Sequence, residues 1–185
     1  METSNRKRSV KISSHGLLAV EIGSSIKFPG YEVFYDHGDS NEGVGRIISF
    51  FEDKSNRSVQ LSSLDIAIVR KKNHQVIALV EFEETNSVPK TFLGDAFGVL
   101  MGEGITYQGR SLEVGKWTTL VIVGVSKVSR QRRNRYILDQ VKKVKSVLET
   151  RNSSIGNVVI ETFTDQKELL ASLPLLLEKV VKGKE

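Results

Sequence analysis

The sequence predicts an α/β domain in which a mixed β-sheet is flanked by helices. Three observations predict it. Residues 64–70 (LDIAIVR) and 75–83 (QVIALVEFE) are nearly continuous, β-branched apolar runs joined by a short polar stretch, as in central strands covered on both faces. Two further apolar runs, 118–125 and 157–163, flank the segment 129–150, whose Ile137, Val141, Val144 and Leu148 recur at helical spacing. A leucine-rich segment with Leu169, Leu170, Leu173, Leu176, Leu177 and Val180 then closes the chain as an amphipathic helix.

Taken in order, Ser13, Ser14 and Gly16 precede Leu17, Leu18, Ile22 and Ile26, a helical pattern that Pro29-Gly30 ends. Residues 31–35 (YEVFY) read as a short strand. Residues 37–45 are polar and glycine-rich, a loop. For 46–51 the pattern fits a strand or a short helix equally. Lys71-Lys72-Asn73-His74 reads as a hairpin turn. Pro89 suits the first turn of a helix carrying Phe92, Ala96 and Leu100. Gly94 and Gly98 would give that helix a smooth face for close approach to a sheet, at roughly 1 kcal/mol each in helix propensity. The resulting order is α-β-(β)-β-β-α-β-α-β-α. Two antiparallel strands followed by helical crossovers give a mixed sheet.

The chain has 185 residues, enough for one domain with a real core. It is 39% hydrophobic and 26% charged, which reads as globular. With no cysteine, disulfide scaffolds, thiolate zinc sites and cysteine nucleophiles are excluded. No apolar run is long enough to span a bilayer, and the basic residues at the start precede no apolar stretch, so neither a membrane partner nor a signal peptide is expected. Cytoplasmic residence is the default expectation. The net charge is +5, unevenly spread: residues 130–145 hold Arg130, Arg132, Arg133, Arg135, Lys142, Lys143 and Lys145 against the single acid Asp139.

Glu81 and Glu83 lie two apart in a strand, so their carboxylates share a face. Asp65 lies in the partner strand. A three-residue loop, Lys72-Asn73-His74, would bring Lys71 opposite Gln75 and Asp65 opposite Glu81, whereas an even-numbered loop would turn Asp65 to the other face. Three converging carboxylates repel one another, and a hard divalent cation would offset that repulsion.

Leu64-Asp65, then Val80-Glu81-Phe82-Glu83 sixteen residues after Asp65, then a helix and a strand, resembles the core of the PD-(D/E)XK nucleases. The resemblance covers roughly residues 13–127. It implies an α-β-β-β-α-β core with a restriction-endonuclease-like mixed sheet flanked by helices. The chain then divides into a flexible basic N-terminus (1–12), the core, and a C-terminal α-β-α extension (128–185). It further implies Asp65 and Glu81 as ligands of Mg²⁺ or Mn²⁺. Glu83 stands where the family usually has a catalytic lysine, and Leu64 stands where it has proline. Glu83 would bind the metal or position water. Lys90, seven residues on, would supply the missing positive charge. Glu21 on the first helix is a candidate outer acid beside the site. His15, His37 and His74 have no metal-ligand spacing, and Gly102, Gly104 and Gly109 fit no phosphate-binding glycine motif.

The function implied is a Mg²⁺-dependent endodeoxyribonuclease that cuts restriction-type or branched DNA as a homodimer. Arg130, Arg132, Arg133, Arg135, Lys142 and Lys143 would contact the DNA phosphates. Two other readings stand beside it. One is a nuclease-like module without catalysis that binds DNA or serves in assembly, favoured by the missing lysine. The other is an unrelated α/β protein whose acids are incidental.

Overall fold

The computed structural model describes residues 14–36, 45–50, 60–84, 96–125, 143, 146 and 154–183. Helix α1 (Ser14–Ser25) leads into β1 (Tyr31–Tyr35). Strands β2 (Ile47–Phe50), β3 (Gln60–Leu64), β4 (Ile66–Arg70) and β5 (Val76–Glu84) follow. Residues 96–100 are helical (α2) and precede the hairpin β6 (Gly104–Tyr107) and β7 (Arg110–Glu113). Strand β8 (Thr119–Val125) comes next, Lys143 and Ser146 are helical (α3), and β9 (Asn157–Phe163) and α4 (Gln166–Lys182) complete the order.

The strands form two sheets. The larger is mixed, in the order β1-β4-β5-β8-β9. Its β1, β4 and β5 are antiparallel neighbours, while β8 and β9 run parallel to β5. Parallel neighbours need crossovers, and the chain spends α2 with the β6–β7 hairpin on the first and the stretch containing α3 on the second. The expected mixed sheet flanked by helices is present. The second sheet is a correction to the sequence reading: β3-β2-β6-β7 is wholly antiparallel, and neither β3 nor the β6–β7 hairpin was expected. These strands are four or five residues long with exposed polar positions, so they lack the apolar run that marked the central strands.

The two faces of the mixed sheet bury different partners. On one, Ile66, Ile68, Val80, Phe82, Val121 and Val123 pack with Ala19 and Ile22 of α1 and with Leu169, Leu173, Leu177 and Val181 of α4. On the other, Ala67, Leu79, Leu120 and Ile122 pack with Ile47, Ile105 and Leu112 of the second sheet and with Ala96, Val99 and Leu100 of α2. Covered on both sides, Val76 to Val80 are essentially sealed from water, which is why β5 reads as a continuous apolar run. Burying these side chains supplies about 25 cal/mol per Å² of apolar area removed from water.

Local signals explain several ends. Asp165 caps α4 by accepting from Glu168 N at 2.8 Å, and Glu168 Oε2 accepts from Thr164 N at 2.8 Å in return. The α2 glycine has the expected role against an unexpected strand. A Cβ on Gly98 would come within 3.1 Å of the Leu61 carbonyl oxygen, so the smooth face approaches β3 of the second sheet. Entry into β8 is fastened by Thr118, whose buried Oγ1 accepts from Gly115 N at 3.0 Å and donates to Val76 O at 2.7 Å.

Candidate metal-binding acidic site

The acidic positions meet where the chain passes between the sheets. The expected strand 64–70 is two strands: Leu64 ends β3 in the second sheet, Asp65 is a bend, and Ile66 begins β4 in the mixed sheet. At that crossing Asp65 N donates to Val80 O at 3.2 Å, and Asp65 O accepts from Asp36 N at 2.9 Å. Its carboxylate Oδ2 accepts from Phe82 N at 2.7 Å, receiving this N–H where the β4–β5 ladder has ended. Phe82 is only 3% exposed, so water offers its N–H little alternative.

The register pairs Ile66 with Val80, and one step further along brings Asp65 beside Glu81. The expected adjacency therefore holds, but by a different route. The turn has four residues, not three: Arg70 N donates to Gln75 O at 2.8 Å and His74 N to Arg70 O at 2.9 Å. His74 takes a left-handed backbone, φ 56°. Such an even loop would by itself turn Asp65 to the wrong face. The register shift at Ile68/Val69, which pairs Ile68 with Ala78 but Val69 with Val76, adds one residue to β5 and restores the phase.

Glu81 is half-buried, with its Oε2 atom shut off from solvent. Because Val80 and Phe82 face α1 and α4, alternation turns Glu81 toward the second-sheet side with Leu79. Glu83 lies on the same face of β5 by period, and its register partner in β8 is Gly124; its side chain lies outside the described residues. Glu21 is exposed on α1, which covers the opposite face, so it is not brought to Glu81. Lys90, Arg130, Arg132, Arg133, Arg135 and Lys142 also lie outside the described residues. Lys143 is helical and exposed.

Two neighbours of this corner were not anticipated. Tyr35 pairs with Ile66, so the next residue, Asp36, adjoins Asp65. Tyr107 of β6 stacks on Phe34, with ring centroids 4.5 Å apart and planes 13° apart. Burial, reinforced by Tyr35 and Asp36, pushes its phenol above the ordinary range. No sequence signal links β6 to β1, because the two belong to different sheets.

Asp65 and Glu81 suit a hard cation by donor type, since Mg²⁺ is commonly held through one or two carboxylates and keeps several waters. Among the described residues no group of three or more His, Cys, Asp or Glu is arranged to hold a metal ion. The sequence reading offers Glu83 as the third ligand. Asp65 has a structural duty as well, at Phe82 N–H.

The chain matches no protein-family model, no curated protein and no solved structure. Fold and site define an α/β protein with an acidic pair at a sheet crossing. Among the described residues no helix is long and apolar enough to cross a membrane.

Proposed function

We propose that this chain is a metal-dependent endodeoxyribonuclease of the PD-(D/E)XK kind, hydrolysing phosphodiester bonds in DNA with Mg²⁺ or Mn²⁺ and working as a homodimer in the cytoplasm. The observation that carries the reading is that Asp65, at the bend before β4, lies beside Glu81 of β5, bonded to Val80 O on one side of it and to Phe82 N on the other. The element order supports it: α1, β1, β4, β5, α2 and β8 follow one another as α-β-β-β-α-β once β2–β3 and β6–β7 are set aside as insertions.

Asp65 and Glu81 would hold the cation, with Glu83 on the same strand face as a third ligand or as the group that orients water. Once bound, the metal supplies a Lewis acid and a water of lowered pKa. The chain's own part is positioning. The Phe82 N–H aims the Asp65 carboxylate, and β5, sealed on both faces, holds Glu81 beside it. Lys90 would offset charge developing on the attacked phosphate.

The test is a cleavage panel of plasmid, oligonucleotide and four-way-junction DNA with Mg²⁺ or Mn²⁺, run beside calorimetry of metal binding. Glu81→Gln should abolish both metal binding and cleavage, and Lys90→Ala should slow cleavage about 10²–10³-fold while sparing metal affinity. Metal binding unchanged in Glu81→Gln would remove the site from consideration. A second reading, a nuclease-like DNA-binding or assembly module, is favoured by the acid at position 83 in place of lysine. It predicts DNA binding without cleavage under any metal.

A further inference from the structure

On the opposite face of the mixed sheet from Glu81, the C-terminal end of α1 and the edge strand β1 bound an open groove of about 540 Å³. That volume lies within the roughly 300–1,000 Å³ of small-ligand sites. Its chemistry has two parts. Lys27 and Lys71 line it, both exposed, and among the described residues no acidic one does. Phe28 and Tyr35, each half-buried, and the buried Tyr31 add ring surface.

The backbone holds the parts together. Lys71 N donates to Gly30 O at 2.9 Å, and Tyr31 N donates to Phe28 O at 3.1 Å, so the 28–31 turn carries Phe28 and keeps the start of the β4–β5 turn against it. Gly30 sits at φ 81°, which this turn requires. At the other end Tyr35 is seated on Gly23, where a Cβ would come within 2.5 Å of its ring. Arg70 adds a further positive charge beside the groove, its guanidinium carbon 5.9 Å from the Tyr31 ring centroid.

We propose that this groove binds a base-and-phosphate unit of single-stranded nucleic acid. Lys27 and Lys71 meet the phosphate, and Phe28 and Tyr35 offer faces on which an unpaired base stacks. Cations and aromatic rings side by side are the two elements such binding needs. A duplex keeps its bases stacked on each other and cannot use the rings, so the groove favours a single strand. The site is separate from the proposed acidic one and needs no metal.

The experiment is fluorescence anisotropy of the full chain with a labelled oligothymidylate, in EDTA and over a salt series, with duplex of equal length and a mononucleotide as competitors. Lys27→Gln/Lys71→Gln should weaken binding and flatten the log–log salt slope by about 0.7, the value for one phosphate contact on a single strand. Phe28→Ala should weaken binding about tenfold and leave that slope unchanged. The charge-matched control Lys167→Gln/Lys179→Gln, on exposed positions of α4, should bind as the unaltered chain does. Equal loss in the control, or no loss in either groove variant, would each overturn the proposal. Circular dichroism of each variant shows that loss of binding is not loss of fold.

Discussion

Replacing Asp65 separates its structural duty from its proposed chemical one. Its carboxylate accepts from Phe82 N at 2.7 Å, and Phe82 is 3% exposed. In Asp65→Ala the Phe82 N–H loses a charged acceptor where water is scarce. Hydrogen bonds to charged groups contribute about 1.5–3 kcal/mol, and a buried donor left unmet costs a similar amount. A loss of about 2 kcal/mol is therefore expected, or about 4–8 °C in melting temperature for a domain of this size. Asp65→Asn keeps a carbonyl acceptor at the same reach and should lose about 1 kcal/mol or less. Urea unfolding of both variants reads the difference, and unchanged m-values confirm that stability alone has moved. Divalent-ion binding should fail in both, because an amide is a poor substitute for a carboxylate in a site of so few ligands. Asp65→Ala as stable as the unaltered protein would refute the account of the strand crossing. Asp65→Asn that folds normally and still binds metal would refute the ligand role.

Three further outcomes follow from the same structure. Thr118→Val should be among the more damaging conservative changes, because it removes the hydroxyl partner of the Gly115 N–H and the Val76 carbonyl inside the core; at about 1–3 kcal/mol per group, chemical denaturation should register a loss of about 2–6 kcal/mol. Tyr107, held above its ordinary pKa by burial, Tyr35 and Asp36, makes the fold alkali-sensitive: the unfolded chain releases this proton first, so the contribution is whole below about pH 10 and lost as pH rises through the higher folded value. In Tyr107→Phe, unfolding free energy measured from pH 8 to 11 should fall less steeply than in the unaltered protein. For the basic segment, Arg132, Arg133 and Arg135 replaced together by glutamine should flatten the salt dependence of duplex-DNA binding by up to about 0.9 per lost phosphate contact. An unchanged slope would leave that segment a solvated face.

Much of the mixed sheet was legible because its strands are buried on both faces. β5, β8 and β9 carry apolar runs that admit no other reading, and α4 shows its buried stripe of Leu169, Leu173, Leu177 and Val181 at intervals of four. The pairing of Glu81 with Glu83 on one strand face is a matter of period alone. The partnership of Asp65 with Glu81 was inferred from a three-residue loop that does not exist; a four-residue turn and a register shift, each reversing the phase, cancel. The strand composition carries no mark of that shift.

Tertiary structure alone decided the rest. β3 and the β6–β7 hairpin are short and half-exposed, so their pairing rests on what they cover, and local pattern is silent about it. The division of 64–70 at Asp65 is likewise a long-range matter. Leu64 is drawn into the second sheet by β2 and Ile66 into the first by β5, and the residue between them turns its carboxylate to Phe82 N–H. Asp36 and Tyr107 reach the same corner from strands far apart in sequence. A periodic apolar run is a local property of the chain, whereas the neighbours of a carboxylate depend on how separate strands share one core, and the energy that brings them together is spread over all of its contacts.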